Sequence, residues 1–181
     1  ATKPFGFMPF RPGPGLGGHC IPIDPYYLSW KARQNGFESR FIELAGHINS
    51  GMPRFIVERV VEALSVDRKP LRHARVHLFG IAYKPGVGDV RESPALDIAR
   101  LLQRGGAIVS YSDPFVPTIE QGEVVFEEVP CETALEQGFD CAVITTSHAE
   151  FDYGAIASRA PRIVDTRNAL KGFSGDHIYR L

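Results

Sequence analysis

The sequence predicts an α/β fold: a helical segment followed by a doubly wound parallel sheet. Three observations carry this expectation. Beyond residue 70, short apolar runs alternate with helix-patterned stretches, the mark of strands buried on both faces by crossover helices. Before it, apolar residues recur at helical spacing from Phe41 to Leu64. Between the two, Asp67-Arg-Lys-Pro-Leu-Arg-His73 is charged and contains proline, which makes it the natural boundary.

Taken in order, residues 1–24 hold too many glycines and prolines for a helix or strand, yet they carry Phe, Met and Ile, which a linker rarely does. They read as an ordered loop. Asp24-Pro25 starts a helix, with Asp as N-cap and Pro at the first helical position; Asn35-Gly36 ends it. A second helix begins near Ser39. Gly51 and Pro53 interrupt it, and the missing donor of Pro53 predicts a kink or a break. Strands are expected at Val76–Ala82, Ala107–Tyr111, Val124–Phe126, Ala142–Thr146 and Arg162–Asp165. Helices are expected at Pro94–Gln103 after Ser93, at Thr133–Glu136 and at Tyr153–Ser158. The chain divides into a loop (1–24), a helical region (25–68) and a Rossmann-like domain (69–181), whose ligands belong outside the carboxyl ends of the strands.

Composition excludes several classes. Hydrophobic content of 44% and charged content of 23% are ordinary for a globular protein of 181 residues. A net charge of −1 gives no broad attraction to nucleic acid or to an anionic membrane. No run approaches the roughly 18 apolar residues of a transmembrane helix, and Ala1–Phe5 has no signal-peptide core. Three cysteines, Cys20, Cys131 and Cys141, make no disulfide framework and suit a reducing cytoplasm. No His and Cys pair has metal-ligand spacing, so no metal is expected. The chain opens without Met and in mid-phrase, which reads as a truncated or proteolysed piece.

The chemistry gathers in the first loop. Gly13, Gly15, Gly17 and Gly18 let backbone approach a ligand closely, and loop N–H groups can cradle an anion. Cys20 follows, and a helix starts just after it. A thiol near a helix N-terminus is favoured as thiolate. Spacing alone leaves two readings open: a nucleophile, or a small buried thiol with Asp24 merely capping.

Pro12-Gly-Pro-Gly-Leu-Gly-Gly-His-Cys-Ile-Pro-Ile-Asp-Pro-Tyr-Tyr-Leu28 resembles the catalytic loop of the UDP-glucose/GDP-mannose dehydrogenase family. It is most similar to the branch acting on UDP-N-acetylhexosamines. The UDP-glucose branch usually has Ser before the Cys and Lys before the Asp, where this chain has His19 and Ile23. Phe41 to Pro53 resembles the family's central helix, which implies a homodimer. Val76 to Asp113, with Gly80-Ile-Ala-Tyr-Lys84 and Asp89-Val-Arg-Glu-Ser-Pro94, resembles the start of its UDP-binding domain.

The resemblance implies a set of roles. Cys20 would form thiohemiacetal and thioester adducts, assisted by Asp24. The loop from Phe10 to Gly17, with Gly15 and Gly17, would lie along the sugar and diphosphate. Tyr83, Lys84 and Arg167 would contact the UDP-sugar. Ile23 would face the nicotinamide of NAD, and Arg91 would reach its pyrophosphate. Arg11 stays open between diphosphate and solvent. A lone Lys or Arg is more often a solvated surface charge, and the motif context is what favours binding. The reaction implied is two oxidations of the sugar's C6 alcohol to a carboxylate, in polysaccharide biosynthesis.

Gly86-Val-Gly-Asp89 is not a dinucleotide fingerprint, and the family's NAD-binding domain does not appear in this sequence. The 181-residue chain is therefore expected not to turn over alone and to bind UDP-sugar weakly at most. Two other readings remain. One is a non-catalytic nucleotide-sugar-binding and dimerisation module. The other is a complete thiol enzyme pairing Cys20 with His19, which adjacent side chains seldom allow.

Overall fold

The structure is a computed structural model that describes residue 6, residues 11–121 and residues 124–181, without the side chains of 120–127. The expectations for Phe10 and for Ala1–Phe5 lie outside the described residues. Two helices come first, α1 (Asp24–Gln34) and α2 (Arg40–Val66). Then follow β1 (Arg75–Phe79), α3 (Pro94–Arg104), β2 (Ile108–Ser112), β3 (Thr118–Gln121) and β4 (Val124–Glu127). The chain ends with α4 (Cys131–Gln137), β5 (Cys141–Ile144), α5 (Tyr153–Arg159), β6 (Ile163–Asp165) and β7 (Ile178–Arg180).

Five strands form one sheet in the order β2-β1-β5-β6-β7, and every neighbouring pair is parallel. Successive side chains of a strand point to opposite faces, and the two apolar clusters follow that period. Val76, Leu78, Cys141, Val143 and Val164 join α2 and α3 on one face. Phe79, Ala142, Ile144 and Ile163 join Leu135 of α4 and Ile156 of α5 on the other. The expected doubly wound sheet is thus present. Val124–Phe126 does lie in a strand, but β4 pairs antiparallel with β3 in a separate hairpin, outside the parallel sheet.

The helical region departs from expectation in two details. Ile23, not Asp24, is the N-cap of α1, and Asp24 is its first helical residue. Two backbone amides already close a turn on the Cys20 carbonyl, from Ile23 at 2.9 Å and Asp24 at 2.8 Å, so no side-chain cap is called for. The C-terminus behaves as expected. Gly36 takes φ +80°, and its N–H and that of Phe37 donate back to Arg33 and Ala32. At Pro53 no break occurs: α2 runs through it as one 27-residue helix. Proline removes one intrahelical donor, that for the carbonyl of Asn49, and the surrounding turns carry the helix across.

α2 serves two environments. Ile56, Val60, Ala63 and Leu64, on one face at helical spacing, are fully buried against the sheet domain. Its first half instead packs on α1. There the Ser29 hydroxyl donates to Glu43 at 3.0 Å, Arg33 pairs with the same carboxylate, and the Tyr26 phenol sits against Gly46. Phe41 remains 89% exposed and Leu44, Ile48 and Phe55 are also exposed, which leaves an apolar face without a partner among the described residues. Among the described residues no helix is long and apolar enough to cross a membrane.

One buried polar group predicts acid sensitivity. His77 of β1 lies with both ring nitrogens 2.8 Å from serine hydroxyls, Ser110 and Ser112, and stacks on Phe139. Burial pushes its pKa from 6.5 down to about 4. The fold therefore refuses a proton that the unfolded chain takes up between those values. This contribution is intact above pH 6.5 and falls away towards pH 4, by about 3 kcal/mol in all. Urea midpoints over that window should fall less steeply for His77→Gln than for the unaltered chain. Equal slopes would refute the assignment.

Candidate active site around the glycine-rich loop

The loop preceding α1 is threaded through the carboxyl edge of the sheet, where ligands of such folds bind. Gly17 packs so tightly that a Cβ there would lie 2.6 Å from Cβ of Tyr83 and 2.7 Å from the carbonyl of Glu92. Gly18 donates its N–H to the Arg91 carbonyl at 2.9 Å. Gly15 lies against Pro94 at the start of α3, and Gly13 against the guanidinium of Arg167. On the far side, the Leu16 N–H donates to Oδ1 of Asn49 at 2.8 Å. Asn49 is the α2 residue whose carbonyl loses its donor at Pro53. The loop is therefore seated between helix α2 and the segments after β1 and β6.

Cys20 is exposed at the end of this loop. Arg91 is within electrostatic reach of it: the Asp89 carboxylate first, then Tyr83 and Cys20, hold the guanidinium above its ordinary pKa. Arg91 is clamped by Asp89, with Nη2 to Oδ2 at 2.6 Å and Nε to both oxygens at 3.0 Å. That ion pair lowers Asp89 to about 2, and His19 adds to the effect. His19 thus acts on Asp89, and no hydrogen bond joins it to Cys20 among the described residues. The thiol enzyme pairing those two side chains has no geometric support.

The cations expected to meet an anion differ in setting. Lys84 is exposed, with Nζ 5.3 Å from the centre of the Tyr83 ring. Arg167 is half-buried; its Nε donates to the Thr145 carbonyl at 2.8 Å, and burial lowers its pKa. Arg11 is exposed. None of the three has a carboxylate partner among the described residues. A partly desolvated guanidinium without a counter-charge is a ready acceptor of an anion.

The structure brings Gly17, Tyr83, Arg91 and Cys20 together, and separately Gly13 with Arg167. The Asp24 N–H donates to the Cys20 carbonyl, but no hydrogen bond joins the two side chains among the described residues, and Asp24 and Ile23 are both exposed beside the turn. A groove of about 540 Å³ opens next to the loop, lined by Leu16, Ile21, Tyr26, Phe41 and Asn49 among others. Its walls do not include Cys20, Lys84 or Arg167, so it is not the ligand site these residues outline. No cluster of His, Cys, Asp and Glu able to hold a metal occurs among the described residues.

Several residues at the site carry no motif of their own. Asn49 could have been found from its place four residues before Pro53. Asp113 and His148, both buried, support the segment after β1; only an Asp-Pro turn signal after β2 hinted at the first. Asp165 accepts the N–H groups of Arg167, Ala169 and Leu170, and so shapes the turn that presents Arg167.

The chain is similar to known proteins over most of its length. Residues 77–172 match the UDP-binding domain of the UDP-glucose/GDP-mannose dehydrogenase family, and residues 1–51 match its central domain. A UDP-N-acetyl-D-glucosamine 6-dehydrogenase of Pseudomonas aeruginosa is 35% identical over 151 residues, which are 83% of this chain and 35% of that protein. A UDP-N-acetyl-D-mannosamine dehydrogenase of Methanococcus maripaludis is 32% identical over 169 residues, 89% of this chain and 37% of that protein. The solved structure of a UDP-D-ManNAc dehydrogenase from Pyrococcus horikoshii superposes with a TM-score of 0.78 at 29% identity, covering 94% of this chain and 40% of that one. The chain thus spans between 35% and 40% of the length of these relatives.

Proposed function

The chain belongs to the UDP-glucose/GDP-mannose dehydrogenase family, and on that premise we propose that it supplies the nucleotide-sugar site and the thiol of an NAD-dependent UDP-N-acetylhexosamine 6-dehydrogenase. The observation that carries this reading is the packing of the Cys20 loop, through Gly17 and Gly18, onto Tyr83 and Arg91 of the segment after β1. One loop thereby brings a nucleophile to the edge where the UDP-binding domain presents its ligand segments.

In this reading Lys84, Arg167 and Arg11 neutralise the diphosphate, and Tyr83 lines the sugar end beside Gly15 and Gly17. Sγ of Cys20 adds to the C6 aldehyde as a thiohemiacetal and holds the same carbon as a thioester at the acid level. Water then releases the carboxylate and regenerates the thiol. Covalent capture keeps the aldehyde bound and divides a hard oxidation into easier steps. Asp24, in the first turn of α1, assists at the thiol.

The residues present fit one flank of an NAD site, since Ile23, whose N–H closes the turn on the Cys20 carbonyl, and Arg91 are both exposed. When bound there, the nicotinamide cofactor would supply hydride acceptance twice, for the hydride lost from the C6 alcohol and for the one lost between thiohemiacetal and thioester. The acid that follows β2, Asp113, is buried with its oxygens occupied by Ile81, Ala82, Phe115 and His148, so it is not available to a cofactor ribose.

The exposed apolar face of α1 and α2 fits a homodimer with the helical region at its centre, within the division 1–24, 25–68 and 69–181. Three free cysteines fit the cytoplasm, and polysaccharide precursors are the product class. The test has two arms. Calorimetry of the 181-residue chain should show UDP and UDP-N-acetylhexosamines binding, while the chain alone forms no NADH from them. A folded chain that binds neither UDP nor UDP-sugar would end this reading, and NADH formed by the chain alone would remove the need for a further domain.

A further inference from the structure

We propose that Asp113 and His148 are positioning residues that hold the segment 80–86, and through Tyr83 the Cys20 loop, in the shape that receives the nucleotide sugar. The proposal rests on the reading of Tyr83 and Lys84 as ligand-facing.

Residues 80–86 form no helix or strand, yet they carry both of those side chains. One buried pair holds the amides of Ile81, Ala82 and Gly86, while the Tyr83 N–H donates to the Asp89 carbonyl at 2.9 Å. Oδ2 of Asp113 accepts the N–H of Ile81 at 2.7 Å, the N–H of Ala82 at 3.0 Å and Nε2 of His148 at 3.0 Å. Oδ1 accepts the N–H of Phe115 at 2.9 Å. At the other end of the segment, the Gly86 N–H donates to Nδ1 of His148 at 3.2 Å. A backbone amide can only donate, so Nδ1 carries no proton and the Nε2 proton points at Asp113. The two ends of the segment therefore converge on one acid–imidazole pair, and Tyr83 and Lys84 project from the span between them.

The pair is itself fixed. Asp113 is 2% exposed and His148 fully buried. The His148 ring lies between Phe115 and Phe151, with centroids 5.3 and 5.6 Å away, and its carbonyl accepts the Tyr153 hydroxyl at 2.8 Å. Carbonyls of the segment are tied as well, Ile81 by the Ser93 hydroxyl at 2.7 Å and Ala82 by the Thr146 hydroxyl at 2.6 Å. Beyond Tyr83, the contacts with Gly17 and Gly18 pass its position on to the loop that bears Cys20.

The consequence for binding is a population effect. If only a fraction of molecules hold the receiving shape, apparent Kd rises by the inverse of that fraction. Losing the links of His148 to Gly86 and Asp113 frees one end of the segment and removes one donor from a buried carboxylate, which should weaken UDP binding about tenfold to a hundredfold.

The experiment compares the unaltered chain with His148→Phe and His148→Gln, measuring amide hydrogen exchange and UDP affinity by calorimetry. Phenylalanine keeps the ring contacts and removes both hydrogen bonds, while glutamine retains a donor and an acceptor. In His148→Phe, the amides of Ile81, Ala82 and Gly86 should exchange faster while those of Val76, Leu78 and Val143 do not, and UDP binding should weaken. His148→Gln should recover most of both. Unchanged exchange, or unchanged UDP affinity in His148→Phe, overturns the positioning role. So does a glutamine variant as impaired as phenylalanine. Should His148→Phe lose strand protection too, Asp113→Asn takes its place under the same criteria. Failure of the unaltered chain to bind UDP is a separate result, which overturns the site reading and this proposal with it.

Discussion

Gly80→Ala should cost the chain about 2–4 kcal/mol of stability, from a left-handed backbone and an overpacked neighbour together. Gly80 leaves β1 at φ +85°, its N–H bonded to the Ser112 carbonyl at 2.8 Å and its carbonyl to the Thr145 hydroxyl. A Cβ would stand 2.5 Å from both Cβ and the carbonyl oxygen of Thr146, and 2.9 Å from its Cα. Two of these are backbone atoms between β5 and β6 and the third is a Cβ fixed by that backbone, so none can rotate away as a long side chain would. Gly86→Ala is the control. It has a similar φ of +74° but nothing within 4 Å of the added carbon, so it should lose only about 1 kcal/mol. Urea unfolding of the three proteins measures both values. A Gly80→Ala loss no larger than that of Gly86→Ala would show that the strand end relaxes freely.

Cys20→Ala, placed in the complete gene product, should lower the rate of uronate formation at least about a thousandfold, the scale on which removing a covalent nucleophile acts. The side chain is exposed and its neighbours are held by backbone contacts, so the loop should survive the change. UDP binding should stay within about twofold, because the residues assigned to the diphosphate are Lys84, Arg167 and Arg11, and Cys20 is not among them. The measurement is uronate and NADH formed per enzyme from a UDP-N-acetylhexosamine with NAD. Uronate formation within tenfold of the unaltered protein would remove Cys20 from the mechanism, whatever became of UDP binding.

Much of the fold was legible because its signals are local. β1, β2, β5 and β6 announce themselves as apolar runs, and α3 by Ser93-Pro94, its cap and first residue. β7 was not legible: three residues, Ile178 to Arg180, are too short to show a period, and the strand exists because β6 offers an edge. β3 likewise needs β4 to pair with. The N-cap of α1 shifted by one residue since the Cys20 carbonyl already accepts two amides, and Pro53 failed to break α2 because it withdraws a single intrahelical donor and begins the buried stretch that docks on the sheet domain.

The same division runs through the site. Residues from Pro12 to Leu28 and from Gly80 to Pro94 form long motifs, and the sequence alone determined the family, the doubly wound sheet and Cys20 as the candidate nucleophile. The resemblance of these motifs gave the family and Cys20, and the spacing of apolar residues gave the sheet, because motif chemistry and strand burial are written in neighbouring residues. Only the tertiary structure decided that Gly17 abuts Tyr83, that Asn49 anchors the loop from α2, and that Asp113 and His148 grip a segment 62 residues from His148 along the chain at Gly86. Those contacts join parts of the chain that share no local pattern. The last of them comes from the register of parallel strands, which sets β1, β2 and β5 side by side and gathers the ends of all three in one place.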